Sequence, residues 1–239
     1  MIKFDIVTLF PTLFIEHFNN LPFKKAVSKK LAEYNLWDLK NYSINNYGSV
    51  DDKTYGGGVG MVIMIEPIFK ALSDIYSEKI MEDRIKGNSD FFINNNHKII
   101  VLSPRGERFN QKKARELSKA IQITLICGRY EGLDARIEDN IATDVISLGD
   151  FVLSGGEIPT LAVMESITRL LPGVLDKEEA SKIESFSFED GVGNEFIEYP
   201  QYTRPENFKG LEVPKVLLSG NHKEIEKWRK ENSKTFKSD

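Results

Sequence analysis

Three short segments rich in Gly, Ser and Pro each follow an apolar run of the chain, and together they could bind a small molecule. They are LSPRGE (102–107), CGRYEG (127–132) and SLGDFVLSGGEIP (147–159). Glycine lets backbone N–H and C=O groups approach a ligand closely, and such groups can recognise an adenine ring. Because open α/β sheets bind ligands beyond the carboxyl ends of their strands, we expect the three segments to converge on one ligand. Glycines that serve only tight turns are the alternative.

The expected ligand is not held by a known type of phosphate-binding loop. No G-x-G-x-x-G opens a helix after the first predicted strand, and no G-x-x-x-x-G-K-[ST] occurs in the chain. The run YGGGVGM (55–61) contains four glycines but no neighbouring lysine, and a strand-like sequence rather than a helix follows it. We interpret this run as a loop against whose backbone a flat group can lie. A flexible loop with a structural role only is the alternative.

The spacing of the apolar residues predicts an α/β fold with a parallel sheet. Strand-like runs alternate with helical patterns, as right-handed crossovers between parallel strands require. The predicted strands cover 2–9, 36–44, 98–103, 123–128 and 142–148. The predicted helices are a short one ending at Phe18, then 22–34, 66–83, 110–121, 131–140, 156–171 and 223–233, the last capped by Asn221, while 86–97 is expected to be a weakly structured surface segment.

The composition is that of a folded protein of a reducing compartment. The 239 residues are 41% hydrophobic, which is enough apolar material for a sizeable core. A single cysteine, Cys127, excludes an internal disulfide, and with three separated histidines it argues against a zinc site. No apolar run approaches the roughly 20 residues that span a bilayer. We therefore expect a cytoplasmic protein with no membrane contact.

The charge is segregated along the chain although its net value is only −4. Residues 105–119 carry six basic and two acidic side chains, whereas 129–190 carry five basic and fourteen acidic ones. Separate basic patches would suit a polyanion such as RNA. Ordinary solvated helix faces explain the same charges and stay open as the alternative.

Several long motifs resemble those of the bacterial tRNA (guanine-37-N1)-methyltransferase family of the SPOUT superfamily. Besides the three segments above, they are TLFP (8–11), VDDKTYGGGVGM (50–61), PGVL (172–175), YPQYTRP (199–205) and VPKVLLSGNHKEIEKWR (213–229). The resemblance covers nearly the whole chain. It implies an α/β SPOUT fold with a deep C-terminal trefoil knot, and a small, mainly helical C-terminal domain. The expected domains are 1–175 for the knotted domain, 176–198 for a flexible linker and 199–239 for tRNA binding.

The resemblance also implies that S-adenosylmethionine, the methyl donor, binds in the knot. Glu131 would face its cationic end, although an acid favoured by a helix N-terminus is the alternative for this residue. The implied donor-binding residues are Leu102, Ser103, Pro104, Gly128, Tyr130, Glu131, Gly132, Ser147, Leu148, Gly149, Phe151, Leu153, Gly155, Gly156 and Pro159.

Two side chains are implied to act on the target guanine. Its N1 must lose a proton as the methyl group arrives, so a carboxylate is needed as general base and a cation near O6 stabilises the developing charge. The family pattern places the carboxylate at Glu198, where many relatives have Asp, and the cation at Arg169. Because the preceding segment is longer than in relatives, Glu195 and Asp190 are lesser candidates.

The substrate-binding residues implied by the resemblance are Asp51, Gly60 and Arg204, the last facing the tRNA anticodon arm. Two positions depart from the pattern, because Val59 replaces a common Pro and Tyr47 a frequent His. The chain ends sooner after the SGNH motif than many relatives do, so we expect reduced RNA contact there. Family members are homodimers with an active site shared between subunits. Mg²⁺ is tied to the family's reaction, but the sequence predicts no metal site.

Two other function classes remain to be compared with this one. A non-catalytic RNA-binding module with the same fold would explain the departures at Val59 and Tyr47, but it would not need intact donor loops. An enzyme that uses a dinucleotide is opposed by the missing phosphate motif.

Overall fold

The structure is a computed structural model that describes residues 1–44, 48–175, 184–187 and 194–237. The chain forms two compact units, Met1–Leu175 (unit 1) and Asp176–Asp239 (unit 2). Tyr47, Asp190 and most of the predicted linker lie outside the described residues. No helix of the described part of the chain is long and apolar enough to cross a membrane.

Unit 1 is built on a sheet of five parallel strands, which confirms the predicted α/β fold. The strands of unit 1, which include two short ones outside this sheet, are β1 (Ile2–Thr8), β2 (Ala32–Asp38), β3 (Asp51–Asp52), β4 (Val62–Ile63), β5 (His97–Arg108), β6 (Gln122–Ile126) and β7 (Asp144–Ser147). The sheet order is β2-β1-β6-β5-β7, and the short strands β3 and β4 form a separate antiparallel pair. The parallel register runs from Ile2 opposite Ala32 to Thr8 opposite Asp38.

Helices cover both faces of this sheet. They are α1 (Thr12–Phe18), α2 (Phe23–Ser28), α3 (Ile65–Tyr76), α4 (Glu78–Ile85), α5 (Asp90–Asn94), α6 (Gln111–Leu117) and α7 (Glu157–Thr168). Alternate residues of β1 point to opposite faces, so Phe4 and Ile6 pack with α1, α2, α6 and α7, while Val7 packs with α3, α4 and α5. Both faces of the sheet are therefore buried, and β1 is buried along almost its whole length, including its polar residues Asp5 and Thr8.

The prediction was wrong for the segment 22–44. The helix ends at Ser28, because Lys30 adopts a left-handed backbone with φ +56°. The second strand is 32–38 rather than 36–44, and a 3₁₀ turn, Leu39–Tyr42, follows it. Pairing of this segment with the whole of β1 outweighs the helical preference of Ala32 and its neighbours.

Three further predictions need correction. The expected helix 66–83 is two helices, because Ser77 takes φ +96°, ends α3 and accepts a hydrogen bond from the Ile80 N–H as the cap of α4. The segment 86–97 contains α5, whose Phe92 is buried edge-on against Tyr76 at 5.2 Å. The helix expected at 131–140 is a loop followed by a single π turn, Ile137–Ile141, whose two isoleucines are buried.

Unit 2 contains short strands as well as helices. Its elements are β8 (Asn194–Ile197), β9 (Asn207–Phe208), β10 (Leu211–Glu212), α8 (Lys215–Leu218), α9 (His222–Asn232) and β11 (Lys234–Lys237). Strand β8, inside the segment expected to be a flexible linker, pairs antiparallel with β11. Asn221 caps α9 as predicted, since its side chain accepts from the Glu224 N–H at 3.4 Å. Tyr199 and Tyr202 pack edge-on against Trp228.

Candidate active site

The three glycine-containing loops meet at the carboxyl edge of the sheet and line one cavity. The cavity is open to solvent, and its volume with the open mouth included is about 810 Å³. Every residue that the resemblance assigned to donor binding lines this cavity: Leu102, Ser103, Pro104, Gly128, Tyr130, Glu131, Gly132, Ser147, Leu148, Gly149, Phe151, Leu153, Gly155, Gly156 and Pro159. We call it the donor pocket.

The first loop is a detour within β5. Leu102 and Glu107 both pair with Ile146 of β7, so the four residues between them leave the sheet. Gly106 closes this detour against the Val145–Ile146 backbone, where an added Cβ would overlap main-chain atoms. Only glycine fits there, and the excursion presents Ser103 and Pro104 to the pocket.

The second and third loops touch each other directly. The Gly156 N–H donates to the Gly128 carbonyl at 2.8 Å, and Arg129 forms an isolated β-bridge with Gly155. A Cβ at Gly156 would lie 2.8 Å from the Cys127 Cα, so the two backbones are too close for any side chain. The pair of glycines in this sequence thus serves the contact between loops as well as the turn that starts α7.

The loop around Gly60 joins the same region. Gly60 has φ +91°, and a Cβ there would come within 2.6 Å of the Glu131 side chain. The Glu131 N–H donates to the Met61 carbonyl at 3.0 Å, and the half-buried Asp51 lies opposite Ile63 in the β3–β4 pair. The structure therefore brings Gly60, one of the residues predicted to bind guanine, against Glu131 of the donor pocket.

A wider cleft adjoins the donor pocket. Its volume is about 2160 Å³ with its open mouth, and the two cavities share Leu102–Pro104, Gly128, Glu131 and Gly132. The fully exposed ring of Tyr55 lies on its rim with Lys53, Arg105 and Arg136. A planar group that lies in this cleft could therefore reach the edge of the donor pocket.

Arg169 is not brought to the donor pocket of its own chain. It is the C-cap of α7, whereas the pocket is at the other end, at Gly156 and Pro159. The 12 residues of α7 span about 18 Å at 1.5 Å per residue. The structure therefore does not place Arg169 among the residues that line the pocket of its own chain.

Glu198 and Arg204 belong to unit 2. Glu198 is half-buried. Its N–H donates to the Ser185 hydroxyl at 3.0 Å, and its carboxylate, which can accept a proton, has one hydrogen bond, from the Gln201 amide to Oε1 at 3.3 Å. Arg204 is exposed.

The chemistry next to the donor pocket does not involve a thiol nucleophile. Complete burial raises the pKa of Cys127 to about 12, so the thiol stays protonated at neutral pH. Its Sγ lies 3.3 Å from the Thr160 hydroxyl and packs in the core. Among the described residues there is also no group of three His, Cys, Asp or Glu side chains that could hold a metal ion.

Sequence reasoning missed five residues at this site. Arg129, Ile146, Val152 and Ser154 line the donor pocket, and Glu157 lies behind it as a buried acid. Arg129 stands inside the CGRYEG motif and Glu157 directly after the glycine pair, so their positions could have been noted. Their pairing could not, because it joins residues 28 positions apart.

Comparisons with known proteins agree with this geometry. A family model described as tRNA (Guanine-1)-methyltransferase TrmD matches residues 2–238. The tRNA (guanine-N(1)-)-methyltransferase of Clostridioides difficile (strain 630) is 44% identical over 231 residues, which are 97% of this chain and 92% of the relative. The enzyme of the same description from Bacillus subtilis (strain 168) is 45% identical over 231 residues, 97% of this chain and 87% of the relative.

A solved structure resembles the chain over most of its length. It is the crystal structure of tRNA (m1G37) methyltransferase from Aquifex aeolicus, with a TM-score of 0.71 and 36% identity over 95% of this chain and 87% of that chain. Sequence and fold thus agree over both units, and the chain belongs to the tRNA (guanine-N1)-methyltransferase family.

Proposed function

We propose that this tRNA (guanine-N1)-methyltransferase transfers a methyl group from S-adenosylmethionine to N1 of the guanine at position 37, next to the anticodon. The observation that carries the proposal is the convergence of three loops on one pocket, lined by all the residues that the resemblance assigned to the donor. The similar Aquifex aeolicus enzyme is a tRNA (m1G37) methyltransferase, which supports the same target position.

The residues that line the donor pocket are chemically suited to S-adenosylmethionine. Backbone groups at Gly128, Gly132 and Gly149 line it without intervening side chains and can read an adenine edge. Glu131 supplies a carboxylate for a cationic ligand. Bound there, the donor would supply a methyl group activated by its positive sulfur.

The residues of the chain then have separable tasks. Glu198 accepts the N1 proton of the guanine, with its carboxylate oriented by Gln201. Arg169 stabilises the negative charge that develops towards O6. Asp51 and Gly60 hold the guanine near Glu131, and Arg204 contacts the anticodon arm through an exposed guanidinium.

We propose that the enzyme is a homodimer in which each active site uses both chains. Arg169 is about 18 Å of helix away from its own donor pocket, so a second copy must bring this cation to the reaction. Four apolar residues of the third loop and the start of α7 are exposed, as expected of a surface that a partner covers: Phe151, Val152, Leu153 and Ile158. In this arrangement Glu198 serves the pocket of the partner subunit.

The remaining parts of the proposal follow from the family resemblance. The C-terminal part of unit 1 forms a deep trefoil knot that keeps the three loops together. Residues 176–198 link it to a small tRNA-binding domain, 199–239, and the enzyme acts on tRNA in the cytoplasm.

Methyl transfer to unmodified tRNA transcripts tests the proposal. With radiolabelled S-adenosylmethionine we expect one methyl group per tRNA, and none when guanine 37 is replaced by adenine. Parallel reactions with Mg²⁺ and with a chelator measure the dependence on the metal. Methylation of the adenine-37 transcript at the full rate would refute the assigned position, and absence of labelling with any transcript would refute the donor.

A further inference from the structure

A buried carboxylate lies directly behind the donor pocket without lining it. Glu157, the first residue of α7, is only 1% exposed. Its Oε1 accepts from the Thr8 hydroxyl at 3.0 Å, and its Oε2 accepts from Arg129 Nε at 2.8 Å. Both carboxylate oxygens are therefore hydrogen-bonded. Thr8 belongs to the end of β1, Arg129 to the loop after β6 and Glu157 to the start of α7.

Arg129 extends this contact across the third loop. While its Nε binds Glu157, its Nη1 donates to the Ser154 carbonyl at 3.3 Å, and its guanidinium lies 4.5 Å from the centre of the Phe10 ring. The ion pair passes directly over Gly155, where an added Cβ would overlap Arg129 and lie 2.6 Å from Glu157 Oε2. The backbone of the third loop is thus pressed between the pocket and the ion pair.

Thr8 anchors the carboxylate to the central sheet. The Thr8 hydroxyl donates to Glu157 and also accepts from the Phe10 N–H at 3.0 Å. The same hydroxyl therefore binds both the carboxylate and the turn after β1. Thr8 itself is fully buried. The chain of contacts connects the rigid sheet to the two pocket loops and adds to the glycine backbone contacts that already join these loops.

Stability alone is a weak reason for an ion pair at this position. A buried pair is often no more stabilising than apolar side chains of the same volume, because both charges lose their hydration. What an ion pair adds is geometry, since two directional bonds to one carboxylate fix the separation of the groups that carry them. Here those groups are the second and third loops, whose backbones line the donor pocket.

We infer that Glu157 and Arg129, anchored by Thr8, are positioning residues that set the spacing of the second and third loops for the methyl donor. The inference rests on the proposed donor site. It predicts that loosening the ion pair weakens donor binding while the methylation rate at saturating donor changes little.

Donor affinity measured without catalysis tests this inference. Calorimetric titration with S-adenosylhomocysteine, the demethylated donor, is compared for the wild type and Glu157→Gln, which keeps the shape and removes the charge. We expect the dissociation constant and the KM for S-adenosylmethionine to rise roughly tenfold. The single-turnover rate at saturating donor should stay within about threefold of the wild type, because Glu157 touches no reacting group.

A second buried ion pair of unit 1 supplies a matched control. Asp144 and Lys113 are 2.7 Å apart and nearly buried, but Asp144 begins β7, at the strand end opposite to the donor pocket. Asp144→Asn should lower the melting temperature to a degree similar to Glu157→Gln and leave donor affinity unchanged. Equal weakening of donor binding by both variants would show loss of stability alone and overturn the inference.

If Glu157→Gln does not fold, two substitutions at Thr8 test whether the anchored carboxylate supports donor binding. Thr8→Val removes the hydroxyl at constant size and should weaken S-adenosylhomocysteine binding about threefold, whereas Thr8→Ser should restore it. Equal affinity of the valine and serine variants would overturn the inference and leave the proposed donor site intact. If the wild type itself binds no S-adenosylhomocysteine, the donor site fails and the inference fails with it.

Discussion

The donor pocket and the segment that carries Glu198 are built in different ways. The pocket lies at the ends of buried strands, and its loops are held by backbone bonds such as Gly156 N–H to Gly128. In unit 2, no side chain whose burial the structure describes is fully buried, and Glu198 is held by two single hydrogen bonds. Under the proposed mechanism we therefore expect that unit 1 holds the donor by itself, whereas the proposed general base reaches its final position only with the bound tRNA and the partner chain.

The largest expected effect comes from removing the charge of Glu198. In Glu198→Gln the amide cannot accept the N1 proton, so single-turnover methylation should fall by roughly 10²-fold or more. The affinity for S-adenosylhomocysteine should be unchanged, because the donor pocket belongs entirely to unit 1.

Glu198→Asp is the matched control, since it keeps the carboxylate on a side chain that is one methylene shorter. It should keep most of the rate, with any loss due to the shorter side chain. Unchanged turnover in the glutamine variant would remove Glu198 from the mechanism.

Substitution of Arg169 should also lower turnover, somewhat less strongly than Glu198→Gln does. Arg169→Ala removes the cation proposed near O6, and loss of one such group typically lowers the rate by roughly 10²-fold. Donor affinity, measured by calorimetry, should not change, because about 18 Å of α7 separate the residue from the pocket of its own chain. Arg169→Lys keeps the charge and should recover part of the rate; weakened donor binding in the alanine variant would contradict the assignment.

Gly155→Ala, a change in the donor pocket, should have the opposite effect. It should weaken donor binding more than it lowers the rate. The new Cβ would meet the Arg129–Glu157 ion pair and push the third loop away. We expect S-adenosylhomocysteine to bind roughly tenfold more weakly. The rate at saturating donor should be less affected than in Glu198→Gln, and tRNA affinity, measured by filter binding, should be unaltered.

Mixing these defects tests whether an active site uses both chains. A heterodimer of Gly155→Ala and Glu198→Gln chains would contain one site with an intact pocket and an intact carboxylate if Glu198 acts on the partner subunit. Co-expressed heterodimers, purified with two different tags and assayed at a donor concentration well below the KM, should therefore recover a large part of the activity that one wild-type site provides. If each site is formed by one chain, both sites carry a defect and no recovery will be seen.

The sequence predicted the pocket better than the elements around it. Loop residues such as Gly128 and Gly155 stand in recognisable motifs of the sequence, and the structure places both in the lining of the pocket. The strand 32–38 was misplaced because its pairing with β1 is a long-range contact that local periodicity does not record. The Arg129–Glu157 ion pair was missed for the same reason, and the separation of Arg169 from the pocket emerged only when α7 was placed in three dimensions.

The smallest expected effect is a loss of stability of one helix in unit 2, with no change in the donor pocket of unit 1. Asn221→Ala removes the cap of α9, in which the side chain accepts from the Glu224 N–H, and should destabilise that helix by about 1 kcal/mol. Hydrogen exchange of the 222–232 peptide should therefore become roughly fivefold faster, with Asn221→Asp as a control that retains the cap. Because α9 belongs to unit 2, donor affinity should be unchanged while tRNA affinity falls severalfold. Loss of donor binding in this variant would show that the pocket depends on unit 2 after all, and the contrast between a self-sufficient pocket and a dependent carboxylate would have to be abandoned.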